Sequence, residues 1–404
     1  MNTHSLQLAQ RVSLIKPSAT LAITSKAMKL KAEGKDIISL SIGEPDFDTP
    51  DFIKQKGKEA IDGGKTKYTP VDGIMELKAA ICQKFKAEND LEYAVEQITV
   101  GCGAKQVIFN ALFALVDPGD EVIIIAPYWV SYKEMVTIAE GKSIFVECKM
   151  EDNFKLRPEV LEAAITDRTK CVILNSPNNP TGAVYTKEEL CGLAQVLLKY
   201  PHVYIIVDDI YEHLVYDQMD FYTIAQVEPS LKDRVFMVNG MSKGYGMTGW
   251  RVGYGAGDLE IIKAINTIQS QMTSNTCSVS QYAALEALKG TKQHINQNKS
   301  IFQSRRDLAF EALKDIPGMK CTKPQGAFYI FADCSGFFKR KAQSGNIIEN
   351  STDFAMYLLE YASVAVVQGI EFGMEGFFRI SYALSEEDLR EACRRIRNAC
   401  SLLT

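Results

Sequence analysis

Between Gly240 and Arg251 the chain reads Gly-Met-Ser-Lys-Gly-Tyr-Gly-Met-Thr-Gly-Trp-Arg, setting Lys243 among small residues with a guanidinium eight positions later. Glycines at this density mark backbone that comes close to something. A lysine amine there can attack a carbonyl, although a lysine taken singly is most often a solvated surface residue. Four other segments carry chemistry of a matching kind. Gly101-Cys102-Gly103-Ala104-Lys105-Gln106 opens a helical pattern, VIFNALFALV, and bare amides at a helix start bind anions; a plain glycine turn is the alternative. Gln106 stands where a dinucleotide fingerprint needs its third glycine, and the Gly-Lys-Ser/Thr of a P-loop is missing. Trp129, after Pro127 and Tyr128, is either a stacking face or a core aromatic. In Ser176-Pro-Asn-Asn-Pro-Thr-Gly182, Asn179 can offer its amide to a ligand oxygen. Asp208 and Asp209 end the apolar run YIIVDD and need partners. Capping of a following helix is the structural alternative and suits Asp209 better than Asp208. Tyr211 comes next.

Together these segments supply an anion cradle, an aromatic face, an amide, a carboxylate, a phenol, a lysine and an arginine. Pyridoxal phosphate uses that inventory. Its aldehyde needs a lysine, its pyridine nitrogen an anionic partner, its ring a stacking face, and its phosphate an arginine and helix amides.

Such groups converge only if strand ends present them on one edge. Short β-branched runs at 97–101, 121–126, 143–148, 170–175, 204–209, 234–240 and 251–257 alternate with longer helical patterns. This predicts an α/β fold with a mostly parallel seven-stranded sheet between helices. The runs do not alternate apolar with polar, so both sheet faces are expected to be covered. Ligands of doubly wound sheets sit beyond the carboxyl ends of the strands, where these groups fall. From about residue 260 the pattern changes to long amphipathic helices, notably 281–315, with a Gly/Pro break at 323–326. Strand-like 327–332, a helix near 352–362, strand-like 377–383 and a helix opened by Ser385-Glu-Glu-Asp follow. These predict a smaller α+β domain. The expected division is 1–48 as an N-terminal arm and part of the small domain, 49–290 as the large cofactor-binding domain, and 291–404 as the small C-terminal domain.

Composition narrows the partners. With 404 residues, 46% of them hydrophobic, the chain can bury a large core. A net charge of −5 without a basic block argues against nucleic acid. The longest apolar candidate, Val122 to Ala126, has strand length and cannot span a bilayer. The first twenty residues mix Gln, Arg, Ser and Lys without an apolar stretch, unlike a secretory signal, so a cytoplasmic location is expected. Ten scattered cysteines without a C-x-x-C pair read as reduced core residues. Four histidines away from ligand spacing make a metal site unexpected.

The sequence also resembles the class I aminotransferases of fold type I, in the bacterial aspartate/prephenate branch. KPSAT (16–20), GEPDFDTP (43–50), KTKYTP (65–70), DPGDEV and PYWVSY (117–132), NSPNNPTGAVY (175–185), DDIYEHL (208–214), SKGYGMTGWRVGY (242–254) and RISYALSEEDL (379–389) carry the likeness. The resemblance implies pyridoxal 5'-phosphate on Lys243, the Schiff-base lysine and general base. Asp208 matches the acid at the ring nitrogen, Asn179 and Tyr211 the ring-oxygen partners, and Trp129 the stacking aromatic. Gly103, Ala104, Lys105, Ser242 and Arg251 match the phosphate region. Tyr68 matches a tyrosine reaching the neighbouring subunit's phosphate, which implies a homodimer with shared sites. Arg379 matches the fork for the substrate α-carboxylate, helped by Gly43.

The same resemblance implies transfer of the amino group from L-aspartate to 2-oxoglutarate, giving oxaloacetate and L-glutamate. Lys105, Ser18 and Thr20 match the side-chain recognition set, and Lys16 is linked to prephenate as acceptor. Alternatives are transamination of aromatic amino acids or alanine, or C–S lysis. A pyridoxal-bearing DNA-binding regulator is disfavoured because only about 40 residues precede GEPDFDTP. A nicotinamide oxidoreductase is disfavoured by Gln106. Three departures stand out: Gly240 for a serine, predicting a lost phosphate contact; Gln368 for a proline, predicting a looser loop before Arg379; and Asp209 for a glutamate.

Overall fold

The computed structural model describes residues 8–15 and 19–404. Its strands, in chain order, are β1 (Ile38–Ser39), β2 (Ile98–Gly101), β3 (Glu121–Ala126), β4 (Lys142–Glu147), β5 (Thr169–Asn175), β6 (Tyr204–Asp208), β7 (Val235–Gly240), β8 (Gly253–Ala256), β9 (Lys320–Cys321), β10 (Tyr329–Asp333), β11 (Val364–Ala365), β12 (Val367–Gln368) and β13 (Phe377–Ser381). Seven form one sheet in the order β2-β8-β7-β6-β5-β3-β4. Only β8 runs against its neighbours; the other pairings in the sheet are parallel. This is the α/β, fold type I architecture expected.

Alternate residues along the central strands enter different cores. Ile123, Ile125, Val172, Leu174, Ile205 and Val207 pack on one face, and Val122, Ile124, Cys171, Ile173 and Ile206 on the other. At about 1.5–3 kcal/mol for each fully buried aliphatic side chain, this double layer makes the strand ends a rigid edge. The second sheet, β12-β13-β10-β9, is antiparallel. Its residues Ile330, Ala332, Phe378 and Ile380 share a core with Phe302 and Leu313 of the helix Gln293–Lys314 and with Leu389 and Ile396 of the helix Glu386–Ser401. The latter helix starts as its sequence signals, with the Ser385 hydroxyl accepting from the Asp388 amide at 3.1 Å. Through β1, which pairs parallel with β11, the segment before residue 43 joins this part of the molecule.

Three expectations are corrected. The stretch 281–315 is two helices, Ser278–Lys289 and Gln293–Lys314. Gly290 adopts an extended ψ of 175° between them, and a Cβ there would stand 2.5 Å from the Phe52 ring. Asp209 caps no helix, because turns follow β6; its Oδ2 is buried without a partner. Gln368 lies in no loop: it is buried in the paired strand β12, in register with Phe378 of β13. The ten cysteines are free. Among the described residues, no helix is long and apolar enough to cross a membrane.

Candidate active site

At the carboxyl edge of the large sheet lies a cavity of about 430 Å³. Gly43, Ala104, Lys105, Trp129, Asn179, Asp208, Tyr211, Ser242, Lys243, Arg251 and Arg379 all line it, although they come from seven separate stretches of chain. Most of them follow β2, β3, β5, β6 and β7 directly. Arg251 instead precedes β8, and the reversed direction of that strand brings its amino end to the same edge. Arg379 arrives from β13 of the second sheet.

Lys243 follows β7, and its Nζ donates to the Gly43 carbonyl at 2.6 Å. Burial lowers the amine's pKa to about 8; Arg379 and Arg251 push the same way, against Glu44 and Asp208. Asp208 ends β6 and is 4% exposed. Tyr132 Oη donates to its Oδ2 at 2.6 Å and the Ile210 amide to its Oδ1 at 3.4 Å. Burial nevertheless raises the carboxyl to about 6. The acid and the base are thus each pulled toward neutral pH by the same desolvation, a pattern typical of functional pairs.

Asn175 organises the loop after β5. Its Nδ2 donates to the Asp208 carbonyl at 2.8 Å while its Oδ1 accepts from the Asn179 amide at 3.0 Å. Asn179 Oδ1 in turn accepts from Arg379 Nη1 at 2.9 Å. Arg379 is 2% exposed, and its Nη2 donates to the Ser41 carbonyl at 2.8 Å. Its Nε is buried without a partner, and among the described residues no carboxylate pairs with it. The ring of Tyr329 lies 4.4 Å from the guanidinium carbon and that of Phe372 5.0 Å. A buried cation with an orphan N–H is costly by itself, so the fork is built for an anion that enters the cavity.

The helix Ala104–Leu115 begins beside the cavity. Its first amides have no intrahelical acceptor, and Gln106 Oε1 takes the Cys102 amide at 2.6 Å. The Arg251 guanidinium lies over this start, donating to the Cys102 carbonyl at 3.2 Å and the Thr248 carbonyl at 2.9 Å. Gly103 has φ +85°, and a Cβ on it would stand 2.5 Å from Arg251 Nη2; one on Gly253 would stand 2.1 Å from the Ala104 nitrogen. The cradle therefore requires glycine, and its open amides plus a guanidinium suit a phosphate. Lys105 Nζ sits 4.9 Å from the Trp129 ring centroid, its pKa lowered by burial and by Arg251.

Some expected residues stand apart. Tyr68 is 91% exposed and outside the cavity. Lys16 and Ser18 lie outside the described residues. Thr20 falls in the helix Ala19–Ala32, with its side chain likewise undescribed. Gly240 is walled in by Gly253, Val252 and Ile210, which a Cβ would meet at 3.0–3.3 Å. Several cavity residues were not singled out from the sequence. Glu44 and Thr248, whose hydroxyl donates to the Glu44 carboxylate at 2.8 Å, belong to the segments GEPDFDTP and SKGYGMTGWRVGY, where neither residue type signals a role by itself. Tyr132, which supports Asp208 from outside the cavity lining, starts the helix Ser131–Ile138 just after Trp129, and the two rings meet edge to face at 5.3 Å. Tyr329 lay in a run legible only as a strand, and its place depends on sheet pairing.

The family model for aminotransferase class I and II matches residues 35–396. A probable aspartate/prephenate aminotransferase of Rickettsia felis is 55% identical over 397 residues, 98% of this chain and 97% of that protein. The solved aspartate aminotransferase of Rhizobium meliloti superposes with a TM-score of 0.96 at 51% identity, covering 99% of this chain and 100% of its own. That of Thermus thermophilus with maleate gives a TM-score of 0.91 at 42% identity, covering 98% and 100%.

Proposed function

The chain belongs to the aminotransferase class I and II family and is a transaminase, and from that premise we propose that it moves the amino group of L-aspartate to 2-oxoglutarate in a ping-pong exchange on pyridoxal 5'-phosphate held at Lys243. The family and fold imply the cofactor, and the residues present fit it: a glycine-only cradle under a guanidinium for the phosphate, a buried acid, a desolvated amine and a tryptophan face in one cavity. Pyridoxal phosphate, when bound, supplies an aldehyde that condenses with amines and a protonated ring that accepts the electron pair of a breaking Cα–H bond.

The chain's own groups do the rest. Arg251, Ser242 and the amides of Ala104 and Lys105 hold the phosphate, while the Gly103 amide, against expectation, is already spent on the Gly101 carbonyl at 2.8 Å. Asp208, oriented by Tyr132, keeps the ring nitrogen protonated; Asn179 and Tyr211 donate to the ring oxygen; Trp129 covers the ring. Lys243 Nζ, with a pKa brought to about 8, is poised to lose and regain a proton near neutrality and carries the proton taken from the substrate Cα. Arg379 binds the α-carboxylate with its two-pronged fork, which orients the Cα–H bond. Tyr68 completes a second copy's phosphate site in a homodimer.

The single observation that carries this reading is the buried, ion-unpaired Arg379 facing Lys243 and Asp208 across one cavity. Aspartate as donor is supported by the aspartate aminotransferases among the relatives and by maleate, a four-carbon dicarboxylate, in the Thermus protein. Lys105 takes the side-chain carboxylate, with Ser18 and Thr20. Prephenate is a second acceptor, with Lys16 in attendance, supported by the Rickettsia felis likeness.

The test is a donor panel of aspartate, phenylalanine, alanine and cystathionine against 2-oxoglutarate, prephenate and oxaloacetate, after borohydride trapping of the cofactor. Aspartate with 2-oxoglutarate leads, and the trapped mass maps to Lys243. Lys105→Ala raises the Michaelis constant for aspartate about ten- to a hundredfold more than that for alanine, as a lost charge-assisted bond requires. Equal losses on both donors, or a trapped peptide lacking residue 243, refute the assignment.

A further inference from the structure

Tyr329 is a buried phenol that the mechanism above leaves unused. It sits at the start of β10, paired with Ser381 across from the strand that carries Arg379. Its hydroxyl is 2.9 Å from that of Tyr211. Its ring lies 4.4 Å from the Arg379 guanidinium carbon. Gly43, whose carbonyl accepts from Lys243, has no Cβ because one there would approach the Tyr329 hydroxyl to 3.0 Å. The phenol is thus wedged between the α-carboxylate fork, the lysine's anchor and the ring-oxygen donor.

We infer that Tyr329 is a positioning residue that donates its proton to Tyr211 Oη and so strengthens Tyr211 as a donor to the cofactor's ring oxygen. This rests on the role proposed for Tyr211. Each phenol has one O–H and accepts through its lone pairs. If Tyr211 gives its proton to the ring oxygen, the 2.9 Å contact is a hydrogen bond only when Tyr329 fills it. A hydroxyl that accepts one bond becomes a better donor in the next. The charged groups facing the pair are Arg379, Asp208 and Lys243, with the Tyr382 phenol also near. Burial holds the Tyr329 phenol above its ordinary range, and Arg379 offsets part of that by favouring loss of the proton, which improves the phenol as a donor. Tyr329 therefore links the fork that senses the substrate carboxylate to the ring oxygen that sets the acidity of the lysine-linked nitrogen.

The experiment is a pH titration of the visible absorbance of the cofactor-loaded protein. Donors to the ring oxygen compete with the proton on the lysine nitrogen, so losing one raises the midpoint. Tyr211→Phe raises it by about one to two pH units and Tyr329→Phe by about half to one. The double variant Tyr211→Phe/Tyr329→Phe titrates like Tyr211→Phe alone, because Tyr329 acts through Tyr211. Replacing Tyr329 by 3-fluorotyrosine, a more acidic phenol that keeps every contact, lowers the midpoint, and this variant decides the matter if the phenylalanine variant misfolds. An unmoved midpoint in either single Tyr329 variant, or shifts that add in the double variant, overturns the inference. A wild-type protein without a lysine-linked band sinks the cofactor reading instead.

Discussion

Two groups of buried charges lie close together in this molecule and are treated in opposite ways. Behind Lys243, Lys84, Glu88, Glu212, His213 and Lys292 form a closed set. Lys84 pairs with Glu212 and donates to Asn89 at 2.8 Å, Lys292 pairs with Glu88, His213 meets Glu88 at 2.8 Å, and Asn239 donates to Glu212 at 2.7 Å. The two carboxylates and His213 are near enough together to suggest a cation site, but two lysines already neutralise the acids. For Glu88, burial alone would raise the pKa; His213, Lys84 and Lys292 outweigh it and bring the carboxyl to about 2. In the cavity nothing closes: Asp208 is raised to about 6, Lys243 is lowered to about 8, and Arg379 keeps an orphan N–H. Charge paired within the protein supports the fold, and charge left open at some expense of stability marks where a ligand is to complete the site.

The contrast is broken most severely at Lys243. Lys243→Ala should reduce turnover by at least about 10²–10⁴-fold, the range for a lost proton-transfer group, with unfolding little changed; steady-state transamination reads it, and wild-type-like rates would remove the lysine from its role. In the closed set the expected injury is to folding. Lys84→Met leaves Glu212 buried without its cation and should lower stability by about 3–5 kcal/mol, measured by denaturant unfolding, while the Michaelis constants of the folded fraction stay near wild type. Arg379→Lys exchanges a fork for a point charge and should raise the Michaelis constant of every donor about ten- to a hundredfold, a uniform loss that separates it from Lys105→Ala.

The smallest effect differs between the two clusters in its sign. Asp208 has a folded-state pKa above its ordinary 3.8, so the native state holds the proton more tightly and stability falls as pH rises from 3.8 through about 6. Asp208→Asn should therefore stabilise the cofactor-free protein by about 3 kcal/mol at pH 7.5, a gain that shrinks below about pH 6 and is gone below 3.8. Glu88 is depressed from 4.5 to about 2, so its contribution is full above 4.5 and is lost as pH falls toward 2. Glu88→Gln should accordingly flatten the acid limb of the stability profile that Asp208→Asn leaves steep. Two acid limbs of equal slope would show that the two clusters do not differ as described.

Much of the site was legible because each group follows a strand whose apolar run is unmistakable. EVIIIA became β3 without a residue's error, and YIIVDD placed Asp208 at a strand end where an unpaired carboxylate stands out. Tyr132 and Tyr329 escaped notice because a phenol in an apolar run looks like any core aromatic until its hydroxyl partner is known. The partners lie 76 and 118 positions away, at Asp208 and Tyr211. The closed charge set was invisible for the same reason. Its ion pairs join the helix Met75–Asn89, the turn after β6 and the start of the helix Gln293–Lys314, and no local pattern relates them.

Local sequence suffices for the strand runs, the glycines that permit a close backbone approach, and the identities of the lysine, acid and arginines. Those are local properties of side-chain shape, charge and backbone freedom. Which charges are neutralised and which are left open is set by the fold, because desolvation and pairing depend on what other segments bring to the same place. A lysine at 84 and a lysine at 243 are the same residue in the chain. One is enclosed by carboxylates and amides, the other by guanidiniums and apolar walls, and that difference in surroundings makes one a support for the fold and fits the other to the role of base proposed for it.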